Sequence, residues 1–204
     1  SKLFHTLNIR NVKLCKIIKV FKDCLPLFIN AFLLVSIYNQ PKYALNDIYN
    51  KGLIENGVQR DFSILFTPIF AMNLMIIFLR PMITQLAVFH FITYKNNLFR
   101  ILLGTCTLIY IVGAFIAIPA LDIVYGTDLK QYQSSFLILL MGGVASTFST
   151  VCDNILTVFR KQHYLIISFV IGYLVSLMTA RTLVLKYEIL GASLSFLCAM
   201  ISWL

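Results

Sequence analysis

Charge of either sign is scarce in this chain: 12% of its 204 residues are charged, and Asp plus Glu number 8. A water-soluble globule carries about a quarter of its residues charged, so a soluble enzyme is excluded first. Glycine (9) and proline (5) are too few for a collagen-like or low-complexity chain, while 17 phenylalanines and 10 tyrosines are too many for a disordered one. The five cysteines, Cys15, Cys24, Cys106, Cys152 and Cys198, are odd in number, scattered and without a C-x-x-C pair. That spacing supports neither a disulfide framework nor a zinc site. His5, His90 and His163 stand too far apart to suggest a metal centre. A Gly-rich phosphate loop, H-E-x-x-H, G-x-S-x-G and a close carboxylate pair are all missing. The longest loop expected, 39–60, is too short and plain for a glycosyltransferase or polymerase site. The expectation is therefore a non-enzyme with no cofactor and no metal.

What is abundant is apolar: 59% of residues, with a mean hydropathy of +0.85. A membrane-crossing helix needs about 20 largely apolar residues. Five full candidates appear, at 24–45, 62–79 with an apolar extension to 92, 98–118, 134–159 and 165–185, and a sixth begins near Ile189. The fold class expected is all-α, a polytopic transmembrane bundle of about six spans, with a basic segment at 1–22 and a membrane lobe at 23–204. No signal peptide fits the start. The chain opens at Ser1 and closes within an apolar run, so a piece of a longer protein is expected.

The net charge of +9 is distributed as an orientation signal. With the N-terminus cytoplasmic, the inner regions 1–22, 80–100 and 160–164 hold eleven Lys and Arg, against six on the other side with six acids beside them. Short cytoplasmic loops carry such an excess. The stripe Lys13, Lys16, Lys19, Lys22 then reads as a juxtamembrane helix face against lipid, and nucleic acid is not expected as a partner.

Polar residues inside such spans usually face protein or an aqueous cavity. Asp23 and Asn30 are seven apart on the first span, with Pro26 between them. Asn73, Arg80 and Thr84 share a face of the second. Gly142, Ser146, Ser149 and Asp153 line the fourth, and Ser168, Gly172, Ser176 and Thr179 the fifth. The stripe on the fifth reads as close helix packing. Asp153 lies deep enough to need a structural partner, such as Asn154 or a lysine, or else a cavity. Arg80 lies near the inner boundary, where it either snorkels to headgroups or grips an anion. Pro26, Pro68 and Pro81 are expected to kink their helices, and Pro119 is expected to open an outer loop that ends in the turn 125–128.

The stretch 25–33, Leu-Pro-Leu-Phe-Ile-Asn-Ala-Phe-Leu, followed by Tyr38-Asn39-Gln40-Pro41-Lys42-Tyr43-Ala44-Leu45-Asn46, resembles a motif of bacterial polysaccharide and lipopolysaccharide flippases. These belong to the multidrug, oligosaccharidyl-lipid and polysaccharide exporter superfamily. Leu65-Phe66-Thr67-Pro68-Ile69-Phe70 with Phe78-Leu79-Arg80-Pro81, then Gly142-Gly143, then Gly191-Ala192-Ser193, resemble its later helices in order. Leu45-Asn46 departs from the family's Ile-Asp. The resemblance implies the C-terminal lobe of a two-lobe transporter in the bacterial plasma membrane. Its substrate would be an undecaprenyl-pyrophosphate-linked oligosaccharide, moved by alternating access, and its partners membrane lipid and the N-terminal lobe. A cation-coupled exporter of drugs or organic cations is the alternative on the same fold. The candidate cavity residues are Arg80, Asn73, Asp153, Asn30, Asp23 and Lys42.

Overall fold

A computed structural model describes residues 14–53, 57–89, 91–159 and 161–204. Among them every regular element is helical: α1 Leu14–Asn50, α2 Val58–Leu65, α3 Thr67–Phe89, α4 Phe91–Tyr125, α5 Gln133–Val158 and α6 Gln162–Trp203, with one 3₁₀ turn at Lys130–Tyr132 before α5. Among the described residues, five stretches are long and apolar enough to cross a membrane: Cys24–Asn50, Val58–Phe78, Phe99–Tyr125, Lys130–Val158 and Tyr164–Trp203. Large apolar side chains cover the outside of the bundle, among them Phe28, Phe32, Ile77, Phe78, Phe115, Ile123 and Met178. Exposure on that scale is untenable in water and natural in lipid. The chain is a helical membrane protein.

Hydropathy located the membrane portions better than the helices. Of the loop expected at 39–60, α1 occupies everything to Asn50, and α2 begins at Val58 rather than 62. The inner region at 80–100 is largely helical, since α3 runs to Phe89 and α4 starts at Phe91, so the third helix is longer at both ends than 98–118. Helices overshoot the hydrocarbon because nothing at its boundary removes a backbone hydrogen bond. Pro119 does not open the outer loop. It lies inside α4, which continues to Tyr125, and the reversal is made at Gly126 (φ 63) with Leu129 N–H donating to Asp122 Oδ1 at 2.9 Å. The basic segment 1–22 starts outside the described residues and from Leu14 onward is the beginning of α1.

The prolines behave unequally. Pro26 and Pro81 sit within α1 and α3, which continue through them. Pro68 is not mid-helix: the helix breaks at Phe66, and Pro68 falls in the first turn of α3. Its missing N–H is harmless there.

α6 folds back on itself. Glu188, at φ 49 and ψ −120, interrupts the helix and divides it into limbs 162–187 and 189–203, close to the boundary expected between the fifth and sixth spans. The limbs lie antiparallel, as the pairs along them show. Ser168 Oγ donates to the Trp203 carbonyl, the Thr179 and Ser195 hydroxyls meet at 3.0 Å, and a Cβ on Gly191 would collide with the Leu183 carbonyl. Only glycine permits that approach. The polar stripe of the fifth span is thus the inner face of this hairpin, as helix packing predicts.

α5 is the central helix, packed against α3, α4 and α6, while α1 lies along α6 and α4 stays at the periphery. Gly142 makes the centre possible, because a Cβ there would stand 2.7 Å from the ring of Phe196 on the second limb of α6. α1 and α3 do not pack along their length, and the gap between them contains the candidate site.

Candidate functional site: a cavity between α1 and α3

A cavity of about 400 Å³, partly open, lies between α1 and α3 over a floor formed by α5 and α6. Asn30 enters from α1, Arg80 from α3, and Thr150, Asp153 and Asn154 from α5, while Trp203 closes it from the end of α6. Ile76 and Ile77 supply the apolar wall on α3, and Leu27, Ala31 and Leu34 supply it on α1. Because the helices alternate in direction, all these residues sit towards one end of the bundle, that of the α1 N-terminus. Asn30 is six residues beyond Cys24, where the apolar part of α1 begins, or about 9 Å at helical rise.

Three of the six candidate residues, Asn30, Arg80 and Asp153, meet in this cavity. Arg80 is exposed at its mouth and Asp153 is half-buried within it. Neither forms an ion pair with a described residue. Of the options that burial left open for Asp153, the cavity is the one realised. Asn154, its expected partner, lines the same space.

Two candidates are elsewhere. Asn73 donates from Nδ2 to the Tyr38 hydroxyl at 2.9 Å, tying α3 to α1; at the same level Ser146 on α5 donates to the Gly143 carbonyl. Lys42, another turn along α1, holds its ammonium 4.9 Å from the ring centre of Phe66 and 5.3 Å from that of Phe70. Both polar groups are already satisfied, one by a phenol and one by ring faces, which is why neither faces the cavity. Asp23 belongs to α1, but its side chain lies outside the described residues.

Tyr38, Phe66, Phe70 and Phe196 form a continuous aromatic layer. Phe66 meets Phe196 at 4.9 Å and Phe70 at 5.4 Å, and Tyr38 meets Phe196 at 5.4 Å between ring centres. This layer stands about two turns from the cavity on each contributing helix: Tyr38 from Asn30, Asn73 from Arg80, Ser146 from Asp153. The cavity is therefore closed on that side by packed rings.

Sequence reasoning missed Trp203, Thr150 and the aromatic layer as parts of this arrangement. Trp203 sits in an apolar run, and only the reversal at Glu188 carries it alongside Phe169, 4.8 Å away between ring centres. Periodicity on α5 was a usable signal for Thr150, which precedes Asn154 by one turn.

Fold and site together define a helical membrane protein with a half-open cavity at one end of the bundle, apolar for the most part and crossed by a few polar side chains. No protein-family model, curated protein or solved structure matches the chain.

Proposed function

We propose that these residues form the C-terminal lobe of a flippase for lipid-linked oligosaccharide. The lobe would lie in a bacterial plasma membrane with the α1 N-terminus cytoplasmic, and the second lobe would complete the translocation path. The observation that carries this reading is the meeting of Arg80 with Asn30 and Asp153 in a cavity open between α1 and α3. A guanidinium at the mouth can grip a pyrophosphate through paired hydrogen bonds, where an ammonium offers a point charge. The apolar flanks at Leu27 and Ile77 leave a polyprenyl tail in lipid. The excess of bases at the cavity end agrees with a cytoplasmic entrance, and the motif at 25–46 resembles that of polysaccharide flippases.

A second reading has one observation in its favour: Asp153 lines the same cavity, as an exporter of organic cations would require. One assay separates the two. In the full-length protein, Arg80→Lys impairs surface-polymer export and Arg80→Ala abolishes it at unchanged membrane abundance, whereas Asp153→Asn exports normally. Normal export by Arg80→Ala at wild-type abundance ends the phosphate-gripping role. Surface-polymer export that survives deletion of the whole protein transfers the reading to cation exchange.

A further inference from the structure

The lining of the cavity, on its floor and on α1, contains polar atoms that the protein does not satisfy. Asn30 and Asn154 are each 6% exposed and Trp203 is 2% exposed. Both Nδ2 and Oδ1 of Asn30, Nδ2 of Asn154 and Nε1 of Trp203 are buried without a hydrogen-bond partner. Buried polar groups are ordinarily paired, and leaving one unpaired is costly. Three such side chains from three helices, all lining one cavity, mark a place that a ligand completes.

The kinds of group left open restrict the ligand's chemistry. A bare anion would accept from Asn154, Trp203 and Arg80 but would leave Asn30 Oδ1 unmet and would face the Asp153 carboxylate. A metal cation would suit Asn30 Oδ1 and Asp153 but would face three N–H donors and a guanidinium. A hydroxyl group both donates and accepts, so several hydroxyls on one ring can answer Asn30 twice over, accept from Asn154 and Trp203, and donate to Asp153. The apolar remainder of the lining, including the Phe169–Trp203 pair, gives the carbon face of such a ring a surface to lie on.

We propose that Asn30, Asn154 and Trp203 form a hydroxyl-binding subsite for a neutral polyhydroxylated ring, a sugar unit, set deeper than the Arg80 mouth. The subsite rests on the flippase reading only in taking that ring as part of a larger anionic lipid conjugate. Two regions of one substrate are thus recognised by different chemistries: phosphate by the guanidinium at the mouth, sugar hydroxyls by neutral amides and the indole N–H on the floor.

Trp203 is the one tryptophan in these 204 residues, so its fluorescence reports directly on the floor. The test uses the full-length protein in lipid nanodiscs, with any tryptophan elsewhere replaced by phenylalanine. D-glucose, N-acetylglucosamine, inorganic pyrophosphate and sodium chloride are titrated separately. A saturable change in Trp203 emission with at least one sugar is expected, weakened about tenfold by Asn154→Leu and by Asn30→Leu, a loss typical of one neutral hydrogen bond. No saturable response to either sugar overturns the subsite, as does a sugar response that both variants leave intact. Response to sodium chloride alone reassigns the floor to a cation, and response to no ligand leaves it as a water site; both overturn the proposal. A pyrophosphate response without a sugar response removes the subsite and leaves the Arg80 reading standing. A sugar response beside normal export by Arg80→Ala does the reverse.

Discussion

Two levels of the same three helices, two turns apart, show opposite treatments of polar groups. At the level of Tyr38, Asn73 and Ser146, each side chain has a protein partner and aromatic rings fill the remaining space. At the level of Asn30, Arg80 and Asp153, the backbone register is equivalent, yet amides stand unpaired and the space is open. That each level carries an Asn and other hydrogen-bonding side chains does not distinguish them. Satisfaction does. A polar residue that the fold has already paired is structural, and one that it has left wanting is a candidate for a ligand.

The largest expected effect is all-or-none. In a background without native cysteines, Thr150→Cys is labelled by a membrane-impermeant thiol reagent from the side that labels Lys95→Cys, and not from the side that labels Lys51→Cys. Labelling of Thr150→Cys from the Lys51 side would break the seal attributed to the aromatic layer.

Next in size is a stability contrast. Tyr38→Ala removes a ring from a packed layer and lowers unfolding stability by about 3 kcal/mol. Asn154→Leu replaces an unpaired amide with an apolar group of similar size and changes stability by less than about 1 kcal/mol. Thermal unfolding in one detergent measures both, and equal losses would erase the distinction between the levels.

The smallest effect lies at Glu188, whose φ of 49° and ψ of −120° form a combination that glycine tolerates and other residues occupy at a cost. Glu188→Gly raises unfolding stability by about 1 kcal/mol, with no change in either labelling or sugar binding. Destabilisation would show that the reversal depends on the glutamate side chain.

The sequence made some of this legible and concealed the rest for identifiable reasons. α5 and both limbs of α6 were bounded within a few residues because charged positions, Lys130, Arg160 and Lys186 to Glu188, bracket predominantly apolar runs. The ends of α1, α3 and α4 were not, because hydropathy registers the hydrocarbon and these helices continue past it. Asn30, Arg80 and Asp153 stood out as polar residues within apolar spans. Asn73 and Lys42 stood out equally and were misplaced, since whether a phenol or a ring face satisfies a polar group depends on neighbours far along the chain. Trp203 illustrates the same dependence in reverse: it reads as one more apolar residue until the chain turns at Glu188.

That turn also has a mechanical consequence. With no loop between them, and with hydroxyl contacts at the open end (Ser168) and about midway along (Thr179 with Ser195), the two limbs of α6 form a double beam. α5 is pressed against that beam through Gly142. α1 packs along the same beam and α3 along α5, so α1 and α3 meet mainly at the Tyr38–Asn73 bond. The two walls of the cavity are therefore held by different parts of the bundle, α1 by the beam and α3 by α5, and are joined directly at the tyrosine.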